Sequence, residues 1–260
     1  MFRQLMDFSI RKPTHIVALL FLIVCSFSVA IFLPILSYFI NYYSSIDYVE
    51  TIPENLQVLF EAFALLVQIM IIFFTFVIVP LLWYVLVNKQ SLKGFFSRIQ
   101  LRFKDLDKAI LWAVLAVIVG YAIIFIAGII MTILGNNLQE VSNIPEIESI
   151  FSLPSILILI TIQPIFEEIF YRGFLLDKIS SLTSEKIAIV ATGILFGIAH
   201  LSYANLYPAV LTSILGMIFA YAVVKTKNLT TGIIAHIAYN IISITLYIFA
   251  KSILFESLIL

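Results

Sequence analysis

Three ionisable residues stand close together in an apolar setting: Glu167, Glu168 and Arg172, within Gln163-Pro164-Ile165-Phe166-Glu167-Glu168-Ile169-Phe170-Tyr171-Arg172, in a run that begins at Leu153. An ionisable side chain at membrane depth costs roughly 2.5–3.5 kcal/mol on insertion scales. Residues kept at that cost are candidates for chemistry. Two further apolar stretches each carry a histidine, Phe196-x-x-x-His200 and His236-x-x-x-Asn240. Each motif has i, i+4 spacing, so its two residues share a helix face, as do Glu168 and Arg172. A single buried His or Asn reads as interhelical hydrogen bonding. Two carboxylates, an arginine, two imidazoles and an amide at one depth do not.

A carboxylate among apolar side chains suits a general base, and an imidazole can help polarise a water molecule. A second imidazole and an amide can donate to a developing oxyanion, where losing one donor costs about 10²–10³ in rate. Glu, His, His and Asn therefore provide a water activator and an oxyanion site, the equipment for peptide hydrolysis without an acyl-enzyme. G-x-S-x-G is absent, and the single cysteine, Cys25, lies far from the motif in sequence and excludes an internal disulfide. H-E-x-x-H is absent too. A zinc ion held by Glu167, His200 and His236 remains open to these residue types.

Composition sets the surroundings. The 260 residues are 62% hydrophobic and their mean hydropathy is +1.12, against about 45–50% apolar in a soluble domain. The expected fold is an all-α, polytopic transmembrane bundle of about seven to eight helices, with the site between helices of the C-terminal half. A single membrane domain covers 1–260: N-terminal spans and a basic segment in 1–150, catalytic core helices in 151–250. The expected spans are about 14–40, 55–87, 109–134, 153–176, 187–203, 206–224 and 229–250. The first apolar run is too long for a cleaved signal peptide. Residues 251–260 are too few to span.

Between the second and third spans, 89–108 carries Lys89, Lys93, Arg98, Arg102, Lys104 and Lys108. Leu92, Phe95, Phe96, Ile99, Phe103 and Leu106 fall on one helical face, so the segment reads as an amphipathic helix on anionic lipid. Basic residues concentrate at 1–12, 89–108, 178–186 and 225–227, and are lacking from the acidic loops near 47–54 and 140–148. The positive-inside rule then places the N-terminus in the cytoplasm of a cell-membrane protein and the C-terminus outside, with Lys251 a mild conflict. From their basic ends, Glu167, His200 and His236 lie 11, 14 and 9 residues into their spans. At ~1.5 Å per residue these are roughly 16, 21 and 14 Å, a shared level within reach of the cytoplasm. The net charge of zero suggests no nucleic-acid partner.

Glu167-Glu168-x-x-x-Arg172, Phe196-x-x-x-His200 and His236-x-x-x-Asn240, in that order on successive spans, resemble the CPBP family. This is the family of CAAX proteases and bacteriocin-processing enzymes, also called Abi, which includes the type II CAAX prenyl endopeptidase. The resemblance covers about 164–240. It implies an intramembrane endopeptidase with a cytoplasm-facing cavity, acting on membrane-associated peptides or proteins. Carried over, Glu167 is the general base, His200 helps orient the water, and His236 and Asn240 form the oxyanion site. Glu168 and Arg172 orient the site as an ion pair. The resemblance favours a glutamate-dependent mechanism needing no cofactor, with zinc left open. Two other classes fit the residues. A transporter would use the same groups as a proton relay, although no inverted repeat is apparent. A non-catalytic immunity or scaffold protein would bind a peptide in the same cavity.

Overall fold

A computed structural model describes residues 8–43, 53–135, 147–148, 150–201 and 206–257. Among them the regular structure is helical throughout, as the polytopic bundle requires. The helices are α1 (Pro13–Phe39), α2 (Leu56–Leu86), α3 (Leu92–Arg98), α4 (Leu106–Ile133), α5 (Leu153–Leu182), α6 (Glu185–Ile198), α7 (Tyr207–Thr226) and α8 (Leu229–Ser257). All except α3 and α6 are long and apolar enough to cross a membrane. Their outer faces leave Phe63, Phe125 and Ile133 exposed, at 63%, 70% and 77%, as a chain solvated by hydrocarbon rather than water permits.

The fifth expected span, 187–203, is the 14-residue α6. At ~1.5 Å per residue it extends roughly 21 Å, short of a ~30 Å hydrocarbon core. The chain leaves it at His200 and returns through α7. The expected polar connection 177–186 is mostly helix, because nothing in 176–182 breaks one. α5 ends where Thr183 leaves helical geometry, and Ser184 caps Ile187. The last helix likewise continues beyond Ala250, to Ser257.

The larger correction concerns 89–108. Its helix covers only Leu92–Arg98 before α4 begins at Leu106, since Gln100 and Asp105 take left-handed backbone angles, φ 59° and 52°, that end a right-handed helix. Phe95 and Ile99 point into the protein core, 0% and 1% exposed, whereas Leu92, Phe96 and Phe103 face outward. The expected single apolar face is thus split between core and surroundings. Beyond α3 the chain runs as a belt. Gln100 O accepts from Leu229 N at 2.9 Å, Arg102 O from Thr230 Oγ1 at 2.8 Å, and Lys104 O from Asn228 Nδ2 at 3.2 Å. Three carbonyls of this non-helical stretch are thereby satisfied at the start of α8.

Aromatic packing fixes α5 against the N-terminal helices. Phe76 of α2 stacks on Phe170 at 4.7 Å, and Phe174 meets Trp83 and Tyr84 edge-on at 6.3 and 5.8 Å. Asp177 accepts from Tyr84 Oη at 2.8 Å and pairs with Arg98 at 2.7 Å, tying α3 to the end of α5. At the opposite end Lys251 pairs with Glu148 at 2.6 Å. The isolated cation that conflicted with the charge rule is therefore neutralised locally. Hydrogen bonds from Lys251 and Tyr247 hold the Glu148 carboxyl below its ordinary range. Asp47, Glu50, Glu140 and Glu146 of the acidic loops lie outside the described residues.

α6 packs on α7 through Gly193 and Gly197, one turn apart, the small-residue spacing that lets membrane helices touch backbone to backbone. A Cβ at Gly197 would stand 1.8 Å from Ser213 Oγ and 2.3 Å from the Ala209 carbonyl oxygen. The latter is backbone and cannot rotate away. Gly197→Ala is expected to cost about 1–3 kcal/mol by overpacking and to lower the thermal unfolding midpoint of the detergent-purified protein. An unchanged midpoint would show that the two helices part without penalty.

Candidate active site

α5 carries the first motif through a change of helix type. It is α-helical to Glu168, with the buried Pro164 inside it, and a π-helix over Ile169–Leu175. Such π segments are frequent at functional sites. Arg172 lies in this wider stretch, 2.7 Å from Glu168 Oε1, with both side chains fully buried. Arg172 also donates from Nη2 to the Gly216 carbonyl of α7 at 3.2 Å and lies 4.3 Å from the centre of the Phe196 ring. One guanidinium thus joins α5, α6 and α7.

α8 approaches these groups closely because residue 232 is glycine. A Cβ there would stand 2.4 Å from Glu168 Oε2. One turn further on, His236 places Nδ1 3.1 Å from Glu168 Oε1 and Nε2 3.8 Å from Glu167 Oε2. Phe196 meets the His236 ring edge-on at 5.5 Å, and Phe219 lies 5.6 Å from it. Both carboxylates, Arg172 and His236 are buried.

His200, just past the end of α6, turns Nδ1 to the carbonyl of Phe196 at 2.8 Å. A carbonyl only accepts, so Nδ1 carries the hydrogen and Nε2 of the neutral ring is an acceptor. Its ring is 4.6 Å from that of Phe196. Among the described residues it makes no ion pair with either carboxylate. Asn240 is half-buried one turn beyond His236 and has no hydrogen-bond partner among the described residues. The structure therefore joins Glu167, Glu168, Arg172 and His236 directly. His200 adjoins them through Phe196, and Asn240 through its helix.

Two amides complete the surroundings of Glu167. Gln163 Nε2 donates to Glu167 Oε1 at 2.7 Å, and Gln68 Nε2 of α2 donates to Gln163 Oε1 at 3.1 Å. Sequence reasoning assigned neither a role. The i−4 position of Gln163 relative to Glu167 was the available signal. Nothing local could indicate Gln68.

At the end of the bundle where α5 and α7 finish lies a cavity of about 510 Å³, lined by Arg98, Arg102, Asp177, Lys227 and Arg172. Arg172 is thus shared by the cavity and the buried ion pair. The zinc alternative needs Glu167, His200 and His236 to converge. Among the described residues no group of three His, Cys, Asp or Glu side chains is placed to hold a metal ion. Glu168 is engaged by Arg172, and His200 Nδ1 by its own helix. This arrangement does not fit a metal ion.

An apolar multi-pass bundle enclosing two carboxylates, a guanidinium and an imidazole is a membrane protein with an internal polar site. Residues 149–242 match the family model described as type II CAAX prenyl endopeptidase Rce1-like. The match contains Glu167, Glu168, Arg172, His200, His236 and Asn240 and bears out the resemblance read from the three motifs. No curated protein and no solved structure matches the chain significantly.

Proposed function

We propose that the chain is an intramembrane endopeptidase hydrolysing peptide bonds of membrane-associated substrates by water activated at Glu167. The observation that carries this reading is the buried contact of Glu167 with His236, beside the Glu168–Arg172 pair and inside the matched segment. Glu167 takes a proton from water as the oxygen attacks the scissile carbonyl. The acceptor Nε2 of His200 holds the second hydrogen of that water. His236 then donates from Nδ1 to Glu168 and offers Nε2–H, with the Asn240 amide, to the tetrahedral oxyanion. Collapse of that intermediate breaks the C–N bond, and the proton held by Glu167 passes to the leaving amine.

The same reading sets the protein in the cell membrane, N-terminus and basic end in the cytoplasm, with the cavity beside Arg172 as the way in. Leu92, Phe96 and Phe103, exposed beside Lys93, Arg102 and Lys104, rest on anionic lipid.

The test is cleavage of a fluorogenic membrane-anchored peptide by protein reconstituted in nanodiscs. Cleavage is expected to be lost in His200→Ala and to persist in excess chelator. Loss on chelation, restored by added zinc, would overturn the carboxylate-activated mechanism. Glu167-dependent solute uptake without proteolysis would replace the protease with a transporter.

A further inference from the structure

We propose that Gln163 and Gln68 are positioning residues for Glu167, acting in series, so that a span outside the matched segment helps aim the base. The inference rests on the reading of Glu167 given above.

The hydrogen-bond chemistry permits one arrangement. An ionised carboxylate only accepts, so Gln163 must turn its amino group to Glu167 and its carbonyl oxygen to Gln68. Gln68 must answer with its own amino group. The observed distances, 2.7 and 3.1 Å, have this polarity. Gln163 precedes Glu167 by one turn of α5, which sets the first bond by helix geometry. The second crosses to α2, 95 residues away in sequence. Together they hold Oε1 of Glu167 and leave Oε2 toward His236. A carboxylate otherwise free to rotate about its last bond is left with one oxygen for chemistry.

Both glutamines are half-buried in apolar spans, where an unpaired amide is costly. A bond between them alone would be interhelical adhesion, a modest contribution to membrane-protein stability. Adhesion needs no third partner, yet here the chain of donors ends on the carboxylate that the matched segment shares with the buried cluster. Adhesion and positioning also differ in what they move: stability in the first case, turnover in the second.

The full-length protein in nanodiscs is compared with Gln163→Met, which keeps chain length without the amide, with Gln68→Leu, and with the double variant. Gln163→Met is expected to lower kcat by about 10²-fold, as misplacing a reacting group does, with KM within about twofold of wild type. Gln68→Leu is expected to lower kcat less. The double variant is expected to match Gln163→Met, because Gln68 acts only through Gln163. A second readout needs no turnover. The Glu167 carboxylate stretching band, identified in infrared spectra by its absence from Glu167→Gln, is expected to shift in Gln163→Met. Full kcat with an unmoved band and a lowered unfolding midpoint would overturn the proposal and leave adhesion. A shifted band in a protein that cleaves no peptide would support the positioning and count against the protease reading.

Discussion

Glu167→Gln is expected to lower kcat for the membrane-anchored peptide by about 10²–10⁴-fold, the usual worth of a positioned general base, without unfolding the protein. Glutamine has nearly the size of glutamate, and its carbonyl oxygen can still accept from Gln163, which donates to this position at 2.7 Å. What disappears is the capacity to take a proton from water. Because Glu168 is fully buried and committed to Arg172 and His236, it cannot substitute as the base despite standing next in sequence. Glu168 therefore gives no second pathway that would mask the loss. Product termini read by mass spectrometry measure the effect directly. Turnover within tenfold of wild type would remove Glu167 from the mechanism and the mechanism with it.

Arg172→Met is expected to be the most destabilising of the substitutions considered. Removing one partner of a buried ion pair leaves the other charge uncompensated, at about 3–5 kcal/mol. Here Arg172 also bonds the Gly216 carbonyl and packs on Phe196, so α5, α6 and α7 lose a common tie. The expected result is a large drop in the unfolding midpoint and a broadened elution profile in detergent. Glu168→Gln with Arg172→Met removes both charges and is expected to recover much of the midpoint, since replacing a whole buried pair is far cheaper than breaking it. Equal instability in single and double variants would mean that shape, not charge, sets the requirement.

Much of this site was legible because it is helical and polar within apolar sequence. The i, i+4 pairs Glu168–Arg172 and His236–Asn240 and the common depth of Glu167 and His236 follow from helix geometry alone. Less was legible wherever position depends on another part of the chain. Leu92 to Leu106 have a helical period, yet α3 stops at Arg98 because the left-handed Gln100 and Asp105 break it and α8 supplies partners to the carbonyls between them. The shortness of α6 follows from its fit against α7, although Gly193 and Gly197 marked that surface in advance. His236 resembled an oxyanion donor in sequence. In the structure it first bridges two carboxylates, because Gly232 admits α8 to the side of Glu168. The Gln68 contact spans 95 residues, and no local pattern carries information over that separation.

The belt after α3 has a consequence for how the chain can vary. Carbonyls 100, 102 and 104 engage residues 229, 230 and 228, in a tract whose path is set by the left-handed Gln100 and Asp105 at its two ends. Losing one residue there would shift these carbonyls out of step with the start of α8, whatever side chains were retained. Since α8 carries His236 two turns above that start, the belt works as a ruler: its length, more than its chemistry, sets where the imidazole stands. Insertions or deletions in this short tract are therefore the changes least compatible with the site, and conservative substitutions along it the most tolerable.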